Sequence, residues 1–172
     1  LIAVYSGDRY HVKTEWASPE QFNHMILGIK VADNTTLPAA MTHPSLGRLL
    51  IFDPTSPYIP LSFLPEYEQG SYGLLIAGDK GGAIQLPVAP PESNRVDVTV
   101  DGTLAASGSL EAKVAMTNRA DEASELRELK NEHQAEFKSV IEAWLARNVK
   151  QVETNDLEAS DQFDSGELQL HL

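Results

Sequence analysis

The amino-acid sequence predicts an α+β protein in which antiparallel strands predominate and one long helix lies in the second half. In the first half, short apolar runs alternate with turn residues, as they do in β-structure. In the second half, strict alternation gives way to one long stretch with helical period. The 172 residues suit one large domain or two small ones. The proline-rich stretch PVAPPESN at 87–94 is typical of a linker and favours two domains, 1–90 and 91–172.

The first domain is predicted to be an antiparallel sheet of short strands. Pro54 ends one strand because proline cannot donate a ladder hydrogen bond, and the glycines of 78–82 allow the positive φ angles of a hairpin loop. Residues 32–47 and 54–70 are expected to form loops, since they are polar or rich in proline. The predicted strands are 1–5, 10–14, 22–31, 48–53, 72–77 and 83–86.

The second domain is predicted to be a small antiparallel β domain with one long helix. Asp101-Gly102 is a strong signal for a two-residue turn between two strands. Asn118 is the expected N-cap of the helix, which ends near Asn148, because acidic residues follow it and apolar residues then step by three or four. The predicted strands are 95–100, 103–117, 149–154 and 167–172.

The composition excludes several classes of function. Thirteen Lys and Arg against 25 Asp and Glu give a formal charge of −12, so nucleic acid is not an expected partner. No run approaches the ~18 to 20 apolar residues of a membrane span, so no membrane insertion is expected. The chain has no cysteine, which removes disulfides, thiolate metal ligands and cysteine nucleophiles from what it can do unaided.

The candidate catalytic residues are a histidine and an aspartate predicted to meet at a sheet edge. If 22–31 and 48–53 pair as a hairpin with residue 29 opposite 48, His24 lies opposite Asp53, with Cβ atoms ~4.5 to 5.5 Å apart. A carboxylate beside an imidazole fixes its tautomer and stabilises the imidazolium, which a general base needs. The alternative for such a pair is a structural hydrogen bond.

The sequence around these two residues resembles a known family. The segments FNHMILGIKV, GRLLIFDPTSPYIPLSFLP and GSYGLLIAGDKGGAIQLP are similar to the C-terminal half of the transglutaminase-like catalytic core, above all in bacterial multidomain members. That family uses a Cys-His-Asp triad, so the resemblance implies His24 as general base and Asp53 as its partner. The resemblance covers residues 1–90 well and 91–172 more loosely, where it implies the β-rich domain that often follows the core.

The resemblance also implies an activity, which is thiol acyl transfer or amide hydrolysis on a protein or peptide substrate, with no cofactor and in an extracytoplasmic bacterial location. The family's cysteine lies on a helix upstream of the strand that begins near Leu1. The sequence is therefore expected to be a truncated fragment, inactive alone and completed by an upstream domain of the same parent chain. The alternative is a noncatalytic module that binds a protein or a glycan.

The remaining histidines do not predict a metal site. His11, His43 and His171 are isolated from other ligands in the sequence. His133 lies near carboxylates but lacks the second histidine of a zincin motif, so it is expected to be a half-buried helix residue. The glycines of 78–82 lack the lysine pattern and the following helix of a phosphate-binding loop.

Overall fold

The computed structural model describes residues 1–16, 18–147, 149 and 151–172. The chain divides into two compact units, Leu1–Ser93 and Asn94–Leu172. The boundary lies inside the proline-rich stretch 87–94. Each unit has its own antiparallel sheet and its own hydrophobic core, and the second unit also carries helices. The fold class is therefore α+β, as the sequence predicts.

The first unit is built on a six-stranded antiparallel sheet in the described part of the chain. The central strand is β1, which pairs with β2 on one side and with β5 on the other. The strands are β1 (Ile2–Val4), β2 (His24–Lys30), β3 (Ala40–His43), β4 (Gly47–Phe52), β5 (Tyr72–Leu75) and β6 (Gly82–Gln85), in the order β3-β4-β2-β1-β5-β6. The hairpin of β5 and β6 around the glycine-rich loop confirms the one predicted.

The core of this unit lies on the sheet face that carries Ile2 and Ile26. These two residues are opposite each other in the ladder, and both are fully buried. Burial of each side chain contributes about 1.5 to 3 kcal/mol. Gly73 of β5 packs so closely on β1 that an added Cβ would lie 2.9 Å from a methyl carbon of Ile2. A side chain at this position would therefore force the two strands apart.

Two predictions for the first unit are wrong. Residues 10–14 form no strand, because their backbone bonds locally and to the Gln21 side chain, which accepts from Lys13 N at 2.7 Å. The segment 32–47 is not only loop, since β3 lies within it and pairs with β4 across a tight turn. The local apolar pattern reveals neither the missing strand at 10–14 nor the presence of β3, because each depends on partner residues elsewhere in the chain.

The second unit packs two helices on a four-stranded antiparallel sheet. Phe137 and Ile141, two of the apolar residues spaced by three or four in the predicted helix, lie in its core, and Trp144 and Leu145 are half-buried beside it. The elements are β7 (Val96–Leu104), β8 (Leu110–Arg119), α1 (Asp121–Glu132), α2 (Gln134–Leu145), β9 (Glu158–Gln162) and β10 (Glu167–His171), with strand order β7-β8-β10-β9. Among the described residues, no helix has the length and apolar character needed to cross a membrane.

The turn and the helix start predicted for the second unit are both displaced. Asp101 and Gly102 pair within the ladder, and the chain reverses at 105–109, where Gly108 adopts a φ of +87°. Asn118 does not cap a helix, because its buried side chain donates to the carbonyl of Leu168. The strand β8 consequently continues to Arg119.

The single long helix predicted from the sequence is two helices. His133 separates them with a φ of −129° and a ψ of 45°, and it is exposed rather than half-buried. Asn148, the predicted helix end, and Lys150, in the predicted strand 149–154, lie outside the described residues. The last two strands of the described chain are β9 and β10, so the strand predicted at 149–154 is replaced by one at Glu158–Gln162.

Candidate functional site

The structure brings His24 and Asp53 together at one edge of the first sheet. The Nε2 atom of His24 lies 3.0 Å from Oδ2 of Asp53. His24 is the first residue of β2, and Asp53 follows the last residue of β4 directly. The His24 side chain is 23% exposed and that of Asp53 only 1%. The pair is therefore sheltered on the carboxylate side and open to solvent on the imidazole side.

The ladder between β2 and β4 differs by two residues from the one predicted. Ile29 pairs with Leu50 rather than with residue 48, so His24 is not directly opposite Asp53. Continuing the observed register places Asp53 opposite Ile26, and His24 is its diagonal neighbour. A shift of two keeps every side chain on its face, because the period of a strand is two. Diagonal neighbours on one face remain within reach of long side chains.

Asp53 is held by a short turn immediately after β4. Its Oδ1 atom accepts hydrogen bonds from the backbone N–H of Thr55 at 3.0 Å and from the Thr55 hydroxyl at 2.9 Å. An aspartate that accepts from the residue two positions on forms an Asx turn, which suits the Asp-Pro-Thr sequence. One oxygen is thus fixed by the turn, and the other is left to face His24.

The contact with Asp53 also assigns roles to the two nitrogens of the His24 ring. An ionised carboxylate can only accept, so Nε2 carries the proton of this hydrogen bond. In the neutral ring Nδ1 then holds the lone pair, and no described residue makes a hydrogen bond to it. The ring therefore has one nitrogen oriented by the protein and one available to take a proton.

A third ionisable side chain, Glu68, lies behind this pair. Its side chain is 0% exposed, and its Oε1 atom is 3.9 Å from Nε2 of His24. No described residue donates a hydrogen bond to either carboxylate oxygen of Glu68. Burial, and then the charge of the neighbouring Asp53, raise the pKa of Glu68 to about 8.

Glu68 is positioned by the proline-rich loop that follows β4. The loop turns at Pro65, whose carbonyl accepts from the Glu68 N–H at 3.0 Å. The buried Gln69 side chain then donates to Leu64 O and accepts from Ala89 N. These bonds fix the backbone on both sides of Glu68. The described segment 54–70 contains no strand or helix, as predicted, and the bonds of Gln69 hold its backbone in place.

Sequence reasoning missed Glu68. The residue sits in the segment EYEQG, where a charged residue followed by Gln-Gly has the appearance of an exposed turn. No periodicity in the loop marks it as buried, and its place beside Asp53 follows only from the folded loop. Each of His24, Asp53 and Glu68 places one nitrogen or oxygen atom within 4.8 Å of the others, a spacing that suits a cation. In the described part of the chain, this is the one group of at least three His or acidic side chains with such a spacing.

The other histidines lie apart from this group. The ring of His11 stacks on Tyr5 with centroids 3.7 Å apart. His43 accepts from the backbone N–H of Ser45 at 3.3 Å through Nδ1. His133 lies between the two helices of the second unit, and His171 is the last residue of β10. These positions give each histidine a local structural setting.

Comparisons with known proteins return no similar protein, since neither the family models, nor the curated proteins, nor the solved structures contain a match to this chain.

Proposed function

We propose that the first unit supplies the base and the orienting carboxylate of a Cys-His-Asp acyl-transfer site that acts on a protein or peptide. His24 is the general base and Asp53 is its partner. The thiol would come from a segment outside this sequence, since the chain contains no cysteine. The observation that carries the proposal is the 3.0 Å contact between Nε2 of His24 and the buried carboxylate of Asp53.

The proposed reaction uses the two ring nitrogens for different tasks. Nδ1 of His24 takes the proton of the thiol, and the sulfur forms a bond to the carbonyl carbon of an amide. The imidazolium then gives that proton to the amine that leaves, which produces a thioester. Water or a second amine, deprotonated by the same nitrogen, then adds to the thioester carbonyl. The C–S bond breaks, the acid or the new amide is released, and Nδ1 returns the proton to the sulfur. The chemistry requires no cofactor.

The surroundings of Asp53 support this assignment of roles. Its two bonds from Thr55 prevent the carboxylate from rotating away from the ring. Oriented carboxylates of this kind hold the catalytic tautomer and stabilise the imidazolium without taking its proton. A structural hydrogen bond would not need the second nitrogen to be open, whereas His24 leaves Nδ1 without a described partner.

Thiol reactivity tests the proposal in a polypeptide that joins the proposed cysteine segment to this chain. We expect iodoacetamide to modify that thiol faster than free cysteine, because His24 stabilises the thiolate. The substitution His24→Ala should remove nearly all of the enhancement, and Asp53→Asn should remove part of it by misorienting the ring.

The matched control is His43→Ala, which removes a histidine of β3 and should leave the rate unchanged. The rate of modification is measured by mass spectrometry at fixed pH. Equal rates in the unsubstituted protein and in His24→Ala would contradict the catalytic assignment and favour a noncatalytic binding module.

A further inference from the structure

We infer that Glu68 is a positioning residue that keeps a proton between its own carboxyl group and that of Asp53, so that the two together present a single negative charge to His24 near neutral pH. The consequence for catalysis rests on the proposed function. The proton sharing itself concerns only residues of this chain.

The geometry places three titratable groups in one small space. One ring nitrogen of His24 and one carboxyl oxygen each of Asp53 and Glu68 all lie within 4.8 Å of one another. Both carboxyl groups are almost completely buried. Two titratable groups face Glu68, namely Asp53, just after β4, and His24, on β2. Arg9 reaches the same loop, but its guanidinium binds the carbonyl and carboxylate of Glu66 instead.

Two adjacent buried carboxyl groups cannot both be ionised without a large cost, because each charge is removed from water and repels the other. One of them therefore keeps a proton unless a cation binds. The hydrogen bonds decide which one. Asp53 accepts from His24 and twice from Thr55, so its anion is compensated. Glu68 accepts from no described residue, so the proton resides on Glu68.

Burial and the nearby charge of Asp53 agree with this distribution, since they raise the pKa of Glu68 to about 8. A protonated Glu68 can donate to Asp53 and add to the bonds that orient it. Once Glu68 ionises, a second negative charge stands 3.9 Å from Nε2. The state of Glu68 thus determines how much negative charge faces the imidazole ring, and hence how firmly His24 holds the proton that it takes from a thiol.

Nuclear magnetic resonance tests the proton sharing without a cysteine. The chain is labelled with carbon-13 in the Glu68 carboxyl and with nitrogen-15 in the His24 ring. We expect the Glu68 carboxyl signal to titrate near 8 rather than in the ordinary acidic range, and the His24 ring signals to shift in the same step. In Glu68→Gln that step in the ring signals should disappear. The matched control Glu66→Gln, two residues away with an exposed side chain, should retain it.

Two results would overturn the inference. One is a Glu68 carboxyl that titrates in the ordinary range, which the unsubstituted chain alone can show even if Glu68→Gln does not fold. The other is a stoichiometric change in the His24 ring signals on addition of Zn²⁺ that EDTA reverses, because the group would then bind a cation in place of the proton. Neither result depends on thiol reactivity, so failure here is distinguishable from failure of the proposed function.

Discussion

Asp53 and Glu68 are both buried carboxyl groups, but their burial is compensated differently. Asp53 accepts hydrogen bonds from Thr55 and His24, so its transfer out of water is offset. Glu68 accepts none from the described residues, so ionisation of its carboxyl is costly. The same loop therefore holds one carboxyl group whose charge hydrogen bonds compensate and one whose charge has no such compensation.

This difference predicts how the stability of the first unit depends on pH. The pKa of Glu68 rises from 4.5, its ordinary value, to about 8 in the folded chain. The folded state therefore binds this proton more tightly than the unfolded state. The contribution of neutral Glu68 is fully present below 4.5 and is lost as the pH rises through 8. The loss amounts to at most about 1.4 kcal/mol of unfolding free energy per pH unit.

The substitution Glu68→Gln should abolish this part of the pH dependence, because glutamine has no proton to lose. The free energy of unfolding is measured by urea unfolding at several pH values from about pH 5 to about pH 8. The transition is followed through the amide signals of β2. Glu66→Gln is the control and should show the same slope as the unsubstituted chain. Parallel curves for the unsubstituted chain and Glu68→Gln would contradict the prediction.

At the scale of the elements, local patterns predicted most of the segments that form strands but not how the strands align. Even-numbered residues of β2 and odd-numbered residues of β4 share a face in both the predicted and the observed register, so the prediction that His24 and Asp53 meet survived a two-residue error. Strand β3, whose Thr42 pairs with Arg48 of β4, lies between β2 and β4 in the sequence and was not recognised there.

The helix boundaries were displaced for a related reason. Asn118 and the acidic residues after it fit a helix start, yet the chain there continues a strand, because Leu168 lies opposite Asn118 in the adjacent strand β10. Arg127 resembles a surface residue in the sequence, but it is 1% exposed and binds Asp161 at 2.9 Å. Such long-range partners leave no periodic trace, and Glu68 at the candidate site was missed for the same reason.

Helix α2 offers a direct test of which face forms the core of the second unit. Ile141 is 3% exposed and belongs to the core, whereas its neighbour Val140 is 42% exposed. Truncation of a buried isoleucine to alanine costs about 2 to 5 kcal/mol, since it removes apolar contacts and leaves a cavity. We expect Ile141→Ala to lower the unfolding free energy by about that amount and Val140→Ala by about 0.5 kcal/mol or less.

Urea unfolding followed by the fluorescence of Trp144, which packs against this core, measures both variants. Trp144 is only half-buried, so Trp144→Ala is expected to cost less than the ~3 to 5 kcal/mol of a completely buried tryptophan. Equal destabilisation by Ile141→Ala and Val140→Ala would mean that the other face of α2 is the packed one.

At the scale of the whole chain, each unit closes its own core with its own sheet. The core of Leu1–Ser93 is formed by strands β1, β2, β4, β5 and β6 and the loops that join them. In Asn94–Leu172 the sheet of β7, β8, β10 and β9 packs its buried leucines against α1 and α2. The buried Arg127 is likewise satisfied within the second unit, by Asp161 and by the carbonyl of Glu167.

A closed core, together with the bonds that the buried Arg127 makes inside the unit, predicts that Asn94–Leu172 folds as an isolated polypeptide. Domains of about 55 to 65 residues already fold alone, and this unit is longer. We expect the amide spectrum of the isolated unit to be dispersed and to superimpose on a subset of the signals of the whole chain, apart from residues near Asn94. The substitution Ile141→Ala should destabilise the isolated unit as much as it does in the whole chain, because the core is the same. A collapsed spectrum, or a much larger effect of Ile141→Ala in isolation, would show that the second unit needs the rest of the chain for its stability.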